Sequence, residues 1–127
     1  MVNKFNINGT TVNFESSGVI ENKNVDLIIF AGQSNMAGRG VSNTTWPAGY
    51  PNILNGAGYE FRAVSDPLKL YKIEEPFGVN EDNQQMDDKG RKSGSLVTAF
   101  VNSYYTKSKI PVIAVSASRG GSSINAW

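Results

Sequence analysis

Residues 26–38 read DLIIFAGQSNMAG, and this stretch decides the fold. Together with Val25, its first half is a short, nearly continuous apolar run that stops at Gly32 and is rich in β-branched and aromatic residues. Such a run is typical of a strand buried in a parallel sheet. Ser34 follows the strand directly, so we expect its hydroxyl at the carboxyl edge of the sheet, where ligands gather in open α/β folds.

A second buried strand is predicted at residues 110–116, IPVIAVS, where Pro111 fits only at the beginning. The segment before it, residues 95–108, predicts a helix with Ser93 or Ser95 as its cap. A strand, a helix and a strand in this order indicate a parallel crossover and therefore an α/β fold. The predicted helix carries two adjacent apolar rows with a spacing of four, both expected in the core: Leu96, Phe100, Tyr104 and Val97, Val101, Tyr105.

The remaining segments add short extended pairs and loops. Residues 4–15 alternate apolar and polar side chains around Asn8-Gly9, which predicts a β-hairpin. A second extended pair is predicted at residues 59–64 and 68–73. Residues 74–94 are polar and carry many charges of both signs, so we expect a solvated loop there.

Composition excludes several classes of function. The 127 residues suit one domain, and 39% of them are hydrophobic, with no run as long as a membrane span. The net charge is +1 without a basic stripe, so neither nucleic acid nor a membrane is an expected partner. There is no cysteine and no histidine, and no metal or cofactor is expected. No signal peptide is visible, so we expect the chain to be cytoplasmic. The sequence leaves the export of a longer parent protein open.

The carboxyl ends of the two predicted strands form the candidate site. Ser34 follows the first strand, and Gly120-Gly121 follows the second, where backbone can approach a ligand closely. A serine beside converging backbone N–H groups is the arrangement that acyl transfer needs. The alternatives are that Ser34 caps a helix, that the glycines only form a turn, and that Gln33 and Asn35 only make hydrogen bonds within their turn.

Two sequence blocks carry a resemblance to a known family. Residues 26–38 resemble the first block of the sialate O-acetylesterase-type carbohydrate esterases, a branch of the SGNH hydrolases, and residues 120–127, GGSSINAW, resemble the second. The resemblance implies a three-layer α/β/α parallel sheet of SGNH (flavodoxin-like) type, incomplete in this chain. We expect residues 1–20 to be an N-terminal hairpin extension and residues 21–127 to be the N-terminal part of the esterase domain.

The resemblance also implies roles for individual residues. Ser34 is the expected nucleophile, and the backbone N–H groups of Ser34 and Gly121, with Gly120 beside them, are expected to form the oxyanion hole. Gln33 and Asn35 are expected to contact the substrate, an acetylated carbohydrate such as acetylated sialic acid or xylan.

One part of the family's pattern is missing. The family takes its general base and orienting acid from an Asp-x-x-His motif near the C-terminus, and this chain contains no histidine. We therefore expect the chain to be part of a longer enzyme. On its own, the chain is expected to be nearly inert and to self-associate through unpaired sheet edges. Two rival hypotheses stay open. One is a non-catalytic carbohydrate-binding or scaffold domain, and the other is a phosphate or nucleotide binder at residues 120–123, although neither GxxxxGK[ST] nor GxGxxG is present.

Overall fold

A computed structural model describes residues 4–7, 10–14, 24–40, 52–81, 92–123 and 125 of the chain. Strands and helices follow one another in the order β1 (Lys4–Ile7), β2 (Thr10–Phe14), β3 (Asp26–Gly32), α1 (Ser34–Ala37), β4 (Gly58–Phe61), β5 (Lys69–Lys72), α2 (Val97–Ser108) and β6 (Val112–Ser118). Both predicted strands of the crossover, the helix between them and both short extended pairs are confirmed. The turn that joins β1 to β2 lies outside the described residues.

The described strands form one mixed sheet in the order β1-β2-β5-β4-β6-β3. β3 and β6 are parallel along their whole length, from Asp26 opposite Val112 to Gly32 opposite Ser118. β4 pairs in parallel with the other edge of β6, and it pairs antiparallel with β5. The N-terminal β1–β2 hairpin continues the same sheet, because β2 lies parallel to β5. The predicted α/β class is confirmed, and the sheet is mixed because the β1–β2 and β4–β5 pairs are antiparallel.

Helix α2 covers one face of the sheet through one of its two apolar rows. Val97 and Val101 are fully buried in a cluster with Phe30 and Ala114. The second row differs from the prediction, since Leu96 is 46% exposed and Phe100 is 40% exposed. This row lies over β3, where the ring of Phe100 meets that of Phe30 edge-on. The expectation that both rows belong to the core is therefore wrong for Leu96 and Phe100, which lie near the last strand of the described sheet, whereas Tyr104 of the same row packs against the core.

A glutamate from a distant loop organises the start of α2. Glu75 accepts hydrogen bonds from the backbone N–H of Ser95 at 2.8 Å, from the Ser95 hydroxyl at 2.8 Å and from the Thr98 hydroxyl at 3.0 Å. Ser95, one of the two predicted capping serines, also accepts a hydrogen bond from the N–H of Val97 at 3.1 Å. The first turn of α2 is thus held by a side chain twenty residues earlier, which local sequence patterns do not reveal.

The charged stretch before α2 contains two buried charges. Glu81 is 2% exposed and accepts hydrogen bonds from the backbone of Val64 and Ser65. Lys92 is 9% exposed. The expectation of a solvated loop is therefore wrong for these two residues, because each one satisfies buried polar groups of neighbouring segments. Residues 82–91, the other part of that prediction, lie outside the described residues.

Candidate active site at the carboxyl edge of β3 and β6

The parallel register of β3 and β6 brings the two predicted turns to one edge of the sheet. Gly32 and Ser118, the last residues of the two strands, lie opposite each other. Immediately beyond them, the N–H of Arg119 donates to the carbonyl oxygen of Gly32 at 2.9 Å. The two strands therefore end side by side. Residues 33–38 follow the end of β3, and residues 119–121 follow the end of β6.

Ser34 is the first residue of the short helix α1 and is half-buried. Gln33, at the position before the helix, is extended and makes no capping hydrogen bond through its side chain. Gly38 ends the helical turn with a φ of 86°, and its N–H donates to the carbonyl oxygen of Ser34 at 3.0 Å. Ser34 therefore lies inside the helical turn and does not occupy the capping position.

The second turn presents open backbone. Gly121 has a φ of +73°, and no described residue other than its two chain neighbours places an atom within 4 Å of the position that a Cβ would take. The hydroxyl of Ser122 donates to the carbonyl oxygen of Arg119 at 2.7 Å and closes the turn. Gly120 is half-buried and Gly121 is exposed.

The two other predicted site residues flank the serine. Gln33 and Asn35 are both exposed at the same edge. The structure thus brings Gln33, Ser34 and Asn35 together on one turn and places Gly120 and Gly121 on the adjoining turn. Their roles in substrate binding and oxyanion stabilisation stay predictions.

Lys92 is a buried lysine near the two turns that was not predicted from the sequence. The Lys92 Nζ atom donates to the Ser116 hydroxyl at 3.0 Å, to the Ser118 hydroxyl at 3.5 Å and to the carbonyl oxygen of Ala37 at 3.4 Å. Ser116 and Ser118 belong to β6, whereas Ala37 is the last residue of α1. Lys92 therefore ties the helical turn of Ser34 to the strand that leads to Gly121. Because it sits among other charged residues in a polar stretch, no local pattern distinguishes it.

The segment that carries Lys92 also holds the end of α1 through backbone hydrogen bonds. The N–H of Ser93 donates to the carbonyl oxygen of Gly38 at 2.8 Å, and the N–H of Gly40 donates to that of Gly94 at 3.1 Å. Gly38 and Gly94 approach so closely that a Cβ on Gly38 would lie 2.7 Å from the Gly94 oxygen. A glycine is therefore required at the end of the GQSNMAG turn.

A buried acidic residue lies on the next strand of the sheet. Glu60 of β4 is 4% exposed, and its carboxylate forms an ion pair with Arg62 at 3.0 Å. Burial raises the pKa of Glu60 above its usual value near 4.5, although the nearby charge of Arg62 opposes this change. The charge of Glu81 raises the pKa of Glu60 further.

Among the described residues, no group of three or more His, Cys, Asp or Glu side chains could hold a metal ion. None of the helices in the described ranges is long and apolar enough to cross a membrane.

Comparison with known proteins finds a distantly related structure with a similar fold. No protein of the curated set matches the sequence. A crystal structure of a protein from Arabidopsis thaliana is similar, with a TM-score of 0.62 and 23% sequence identity. The similarity covers 82% of this chain and 44% of the plant protein, so this chain spans less than half the length of that relative. At this identity the likeness concerns the α/β fold alone.

The family comparison covers most of the sequence and includes both turns. The family described as "Carbohydrate esterase, sialic acid-specific acetylesterase" matches residues 24–127. This range begins just before β3 and includes the helical turn of Ser34, α2, β6 and the Gly120-Gly121 turn. The chain belongs to the family of carbohydrate esterases that are described as sialic acid-specific acetylesterases.

Proposed function

We propose that this chain carries the nucleophile and oxyanion-hole part of a serine O-acetylesterase that acts on acetylated carbohydrates. The observation that supports the proposal is the full-length parallel register of β3 and β6, with the Arg119 N–H bonded to the Gly32 oxygen. Within a family of carbohydrate esterases, this register sets a half-buried serine beside a turn of open glycine backbone.

The proposed reaction has two steps. The Ser34 hydroxyl oxygen attacks the carbonyl carbon of an acetyl ester, and the N–H groups of Ser34 and Gly121 donate to the oxyanion that forms. The bond to the sugar oxygen then breaks, and that oxygen receives the proton that Ser34 gives up. Water attacks the acetyl group on Ser34, releases acetic acid and restores the hydroxyl. Gln33 and Asn35, whose side chains are exposed on the same turn, are proposed to contact the sugar.

The absence of histidine determines what the chain does alone. With no histidine in 127 residues, no imidazole accepts the Ser34 proton or activates the water of the second step. A reactive ester with a good leaving group depends less on such a base. We therefore expect slow acetylation of Ser34 and still slower deacetylation, so that the acetylated chain accumulates without turnover.

Acetylation by p-nitrophenyl acetate, followed by peptide mass spectrometry, tests this proposal. We expect Ser34 to be acetylated more than about tenfold faster than the exposed Ser65, which lies outside both turns. This is well below the roughly 10³–10⁴-fold that oxyanion stabilisation and binding leave in a serine protease without its triad. In Ser34→Ala, the site-selective acetylation disappears. If Ser34 reacts no faster than Ser65, Ser34 is not the nucleophile.

A second candidate function follows from the same absence of histidine. A chain that binds acetylated carbohydrate without hydrolysing it needs no general base. Such a binding domain would show saturable binding of an acetylated sugar, while Ser34 would not be acetylated selectively. The acetylation experiment therefore separates the two functions, provided that sugar binding is measured in parallel by calorimetry.

A further inference from the structure

The side chain of Lys92 connects the two turns of the candidate site from within the protein. Its ammonium group donates to the Ser116 and Ser118 hydroxyls and to the carbonyl oxygen of Ala37. The two serines are buried, at 6% and 1% exposure, and they alternate along β6, so both hydroxyls lie on the same face of the sheet. These three acceptors match in number the three N–H donors of an ammonium group. Lys92 is therefore a fixed part of the interior and not a solvated surface side chain.

The short helix α1 depends on such a contact for its position. It has four residues, and a single helical turn is unstable in water unless other parts of the fold support it. Ala37 is its last residue, and carbonyl groups at the end of a helix lack partners within the helix and carry partial negative charge. The Lys92 ammonium group supplies a hydrogen bond and a positive charge at this end of α1. The lysine thereby fixes the turn that begins with Ser34.

The same ammonium group also fixes the end of β6. Ser118 is the last residue of β6 and is followed directly by the turn that contains Gly121. The backbone at Gly78 closes over the ammonium group, since a Cβ at position 78 would lie 3.1 Å from the Lys92 Nζ atom. The lysine therefore has little room to move away from its partners. Its contacts set the distance between the Ser34 turn and the strand that leads to Gly121.

We propose that Lys92 is a positioning residue for the acetylation of Ser34, an inference that rests on the proposed function. Oxyanion stabilisation needs the N–H groups of Ser34 and Gly121 at about 2.7–3.1 Å from one oxygen atom. These two N–H groups belong to different turns, and Lys92 acts through the two turns that it connects. A displacement of about 1 Å can slow a reaction by about 10²-fold. Loss of the ammonium group therefore slows the acetylation of Ser34 even where the rest of the fold persists.

Acetylation by p-nitrophenyl acetate, measured in Lys92→Met and in a destabilised control, tests this role. Val101→Ala is the control, because Val101 is fully buried near Gly58 at the start of β4, away from the carboxyl edge. We expect Lys92→Met to lower the rate at Ser34 relative to Ser65 by about tenfold or more, and Val101→Ala to retain this ratio. Equal ratios in Lys92→Met and the unchanged chain overturn the inference alone. If even the unchanged chain shows no selectivity for Ser34, the proposed function fails, and the inference fails with it.

Amide hydrogen exchange gives a readout that does not depend on the reactivity of Ser34. The Gly38 N–H donates to the Ser34 carbonyl oxygen at 3.0 Å, and the Val112 N–H donates to the Ala57 carbonyl oxygen at 2.9 Å, at the other end of β6. In Lys92→Met we expect exchange at Gly38 to be about tenfold faster or more, with a much smaller change at Val112. Equal acceleration at the two amides, which a general loss of stability would produce, overturns the inference. Unchanged exchange at Gly38 overturns it as well.

Chemical restoration of the ammonium group provides a matched pair of side chains. The chain has no cysteine, so the thiol of Lys92→Cys can be alkylated selectively in urea before the chain is refolded. Bromoethylamine builds a side chain that ends in an ammonium group, as lysine does, whereas bromopropane builds one of equal length that ends in a methyl group. We expect the first product alone to regain selective acetylation of Ser34. Equal selectivity in the two products overturns the inference.

Discussion

Gly78 and Gly121 have nearly the same backbone conformation but very different surroundings. Their φ angles are +76° and +73°, a region that side chains with a Cβ rarely adopt. A Cβ at position 78 would lie 2.3 Å from the Ser116 hydroxyl oxygen and 2.6 Å from the Ser116 Cβ. At position 121 the same Cβ would meet no atom within 4 Å from the part of the chain that the structure describes, its two chain neighbours aside. Substitutions at these two positions therefore separate the cost of backbone strain from the cost of steric overlap.

We expect Gly121→Ala to lower the free energy of unfolding by about 1–2 kcal/mol, the strain of a left-handed residue. Gly78→Ala should lower it by roughly 2–5 kcal/mol, because overpacking against Ser116 adds to the same strain. Urea denaturation of both variants, followed by circular dichroism, measures the difference. Equal losses in the two variants would show that the space around Gly78 relaxes without a penalty.

At the scale of single residues, sequence reasoning located Ser34 and missed Lys92 for a physical reason. Ser34 follows an apolar strand directly, so its place at the sheet edge depends only on local sequence. Lys92 is buried by segments that are far from it along the chain, since its ammonium group contacts Ala37, Ser116 and Ser118. A contact between distant segments leaves no periodic pattern in the sequence.

At the scale of elements, the start of α2 depends on a carboxylate from outside the helix. Both oxygens of Glu75 accept hydrogen bonds at this helix end, from Ser95 and Thr98. Negative charge is favourable at a helix N-terminus, where backbone N–H groups lack partners within the helix. Glu75 therefore stabilises α2 both by hydrogen bonds and by its charge.

We expect Glu75→Gln to lower the free energy of unfolding by about 1.5–3 kcal/mol, the range for hydrogen bonds to a charged group. The neighbouring Glu74 is exposed, so Glu74→Gln serves as the matched control and should change stability by less than about 0.5 kcal/mol. Thermal unfolding of the two variants measures both effects. A Glu75→Gln variant as stable as the control would contradict the capping role.

The elements themselves were largely predictable because their patterns are local. The apolar runs that became β3 and β6 and the spacing of four that became α2 are properties of short stretches of sequence. The burial of α2 was only half predictable. Its two apolar rows look alike in the sequence, and only the position of β3 at the end of the described sheet leaves Leu96 and Phe100 exposed.

At the scale of the whole molecule, the buried Glu60 and the half-buried Asp66 shift the pH dependence of stability in opposite directions. Burial raises the pKa of Glu60, so the folded state holds this proton more tightly than the unfolded state. Its contribution is complete below the usual pKa near 4.5 and is lost as the pH rises through the raised value. The hydrogen bond from Tyr71 lowers the pKa of Asp66, so that contribution is lost as the pH falls below the usual value near 3.8.

Glu60 is therefore expected to favour the folded state more at mildly acidic pH than at neutral pH, and Glu60→Gln should remove this part of the pH dependence. Urea unfolding midpoints, measured across the acidic range, test the expectation. Glu74→Gln again provides the exposed control, and its curve should run parallel to that of the unchanged chain. If the Glu60→Gln curve is also parallel, Glu60 does not bind its proton more tightly on folding.

The sheet was predictable in class but not in its full order. A strand, a helix and a strand implied that β3 and β6 are parallel, and this was confirmed. The insertion of β4 and β5 on the far side of β6, and the continuation of the sheet into the N-terminal hairpin, depend on which strand edges meet in space. The sequence predicts where the strands lie along the chain. It does not determine which strands become neighbours in the sheet.

The pairing of β3 with β6 has a consequence for how the protein is made. Roughly eighty residues separate the two strands along the chain, and they pair in parallel. During synthesis, β3 leaves the ribosome long before its partner has been translated. Throughout that interval DLIIFAG is an apolar segment without a sheet to join, which is the situation in which nascent chains need chaperones. The strand that leads to the Ser34 turn therefore stays unpaired for much of the synthesis of the chain.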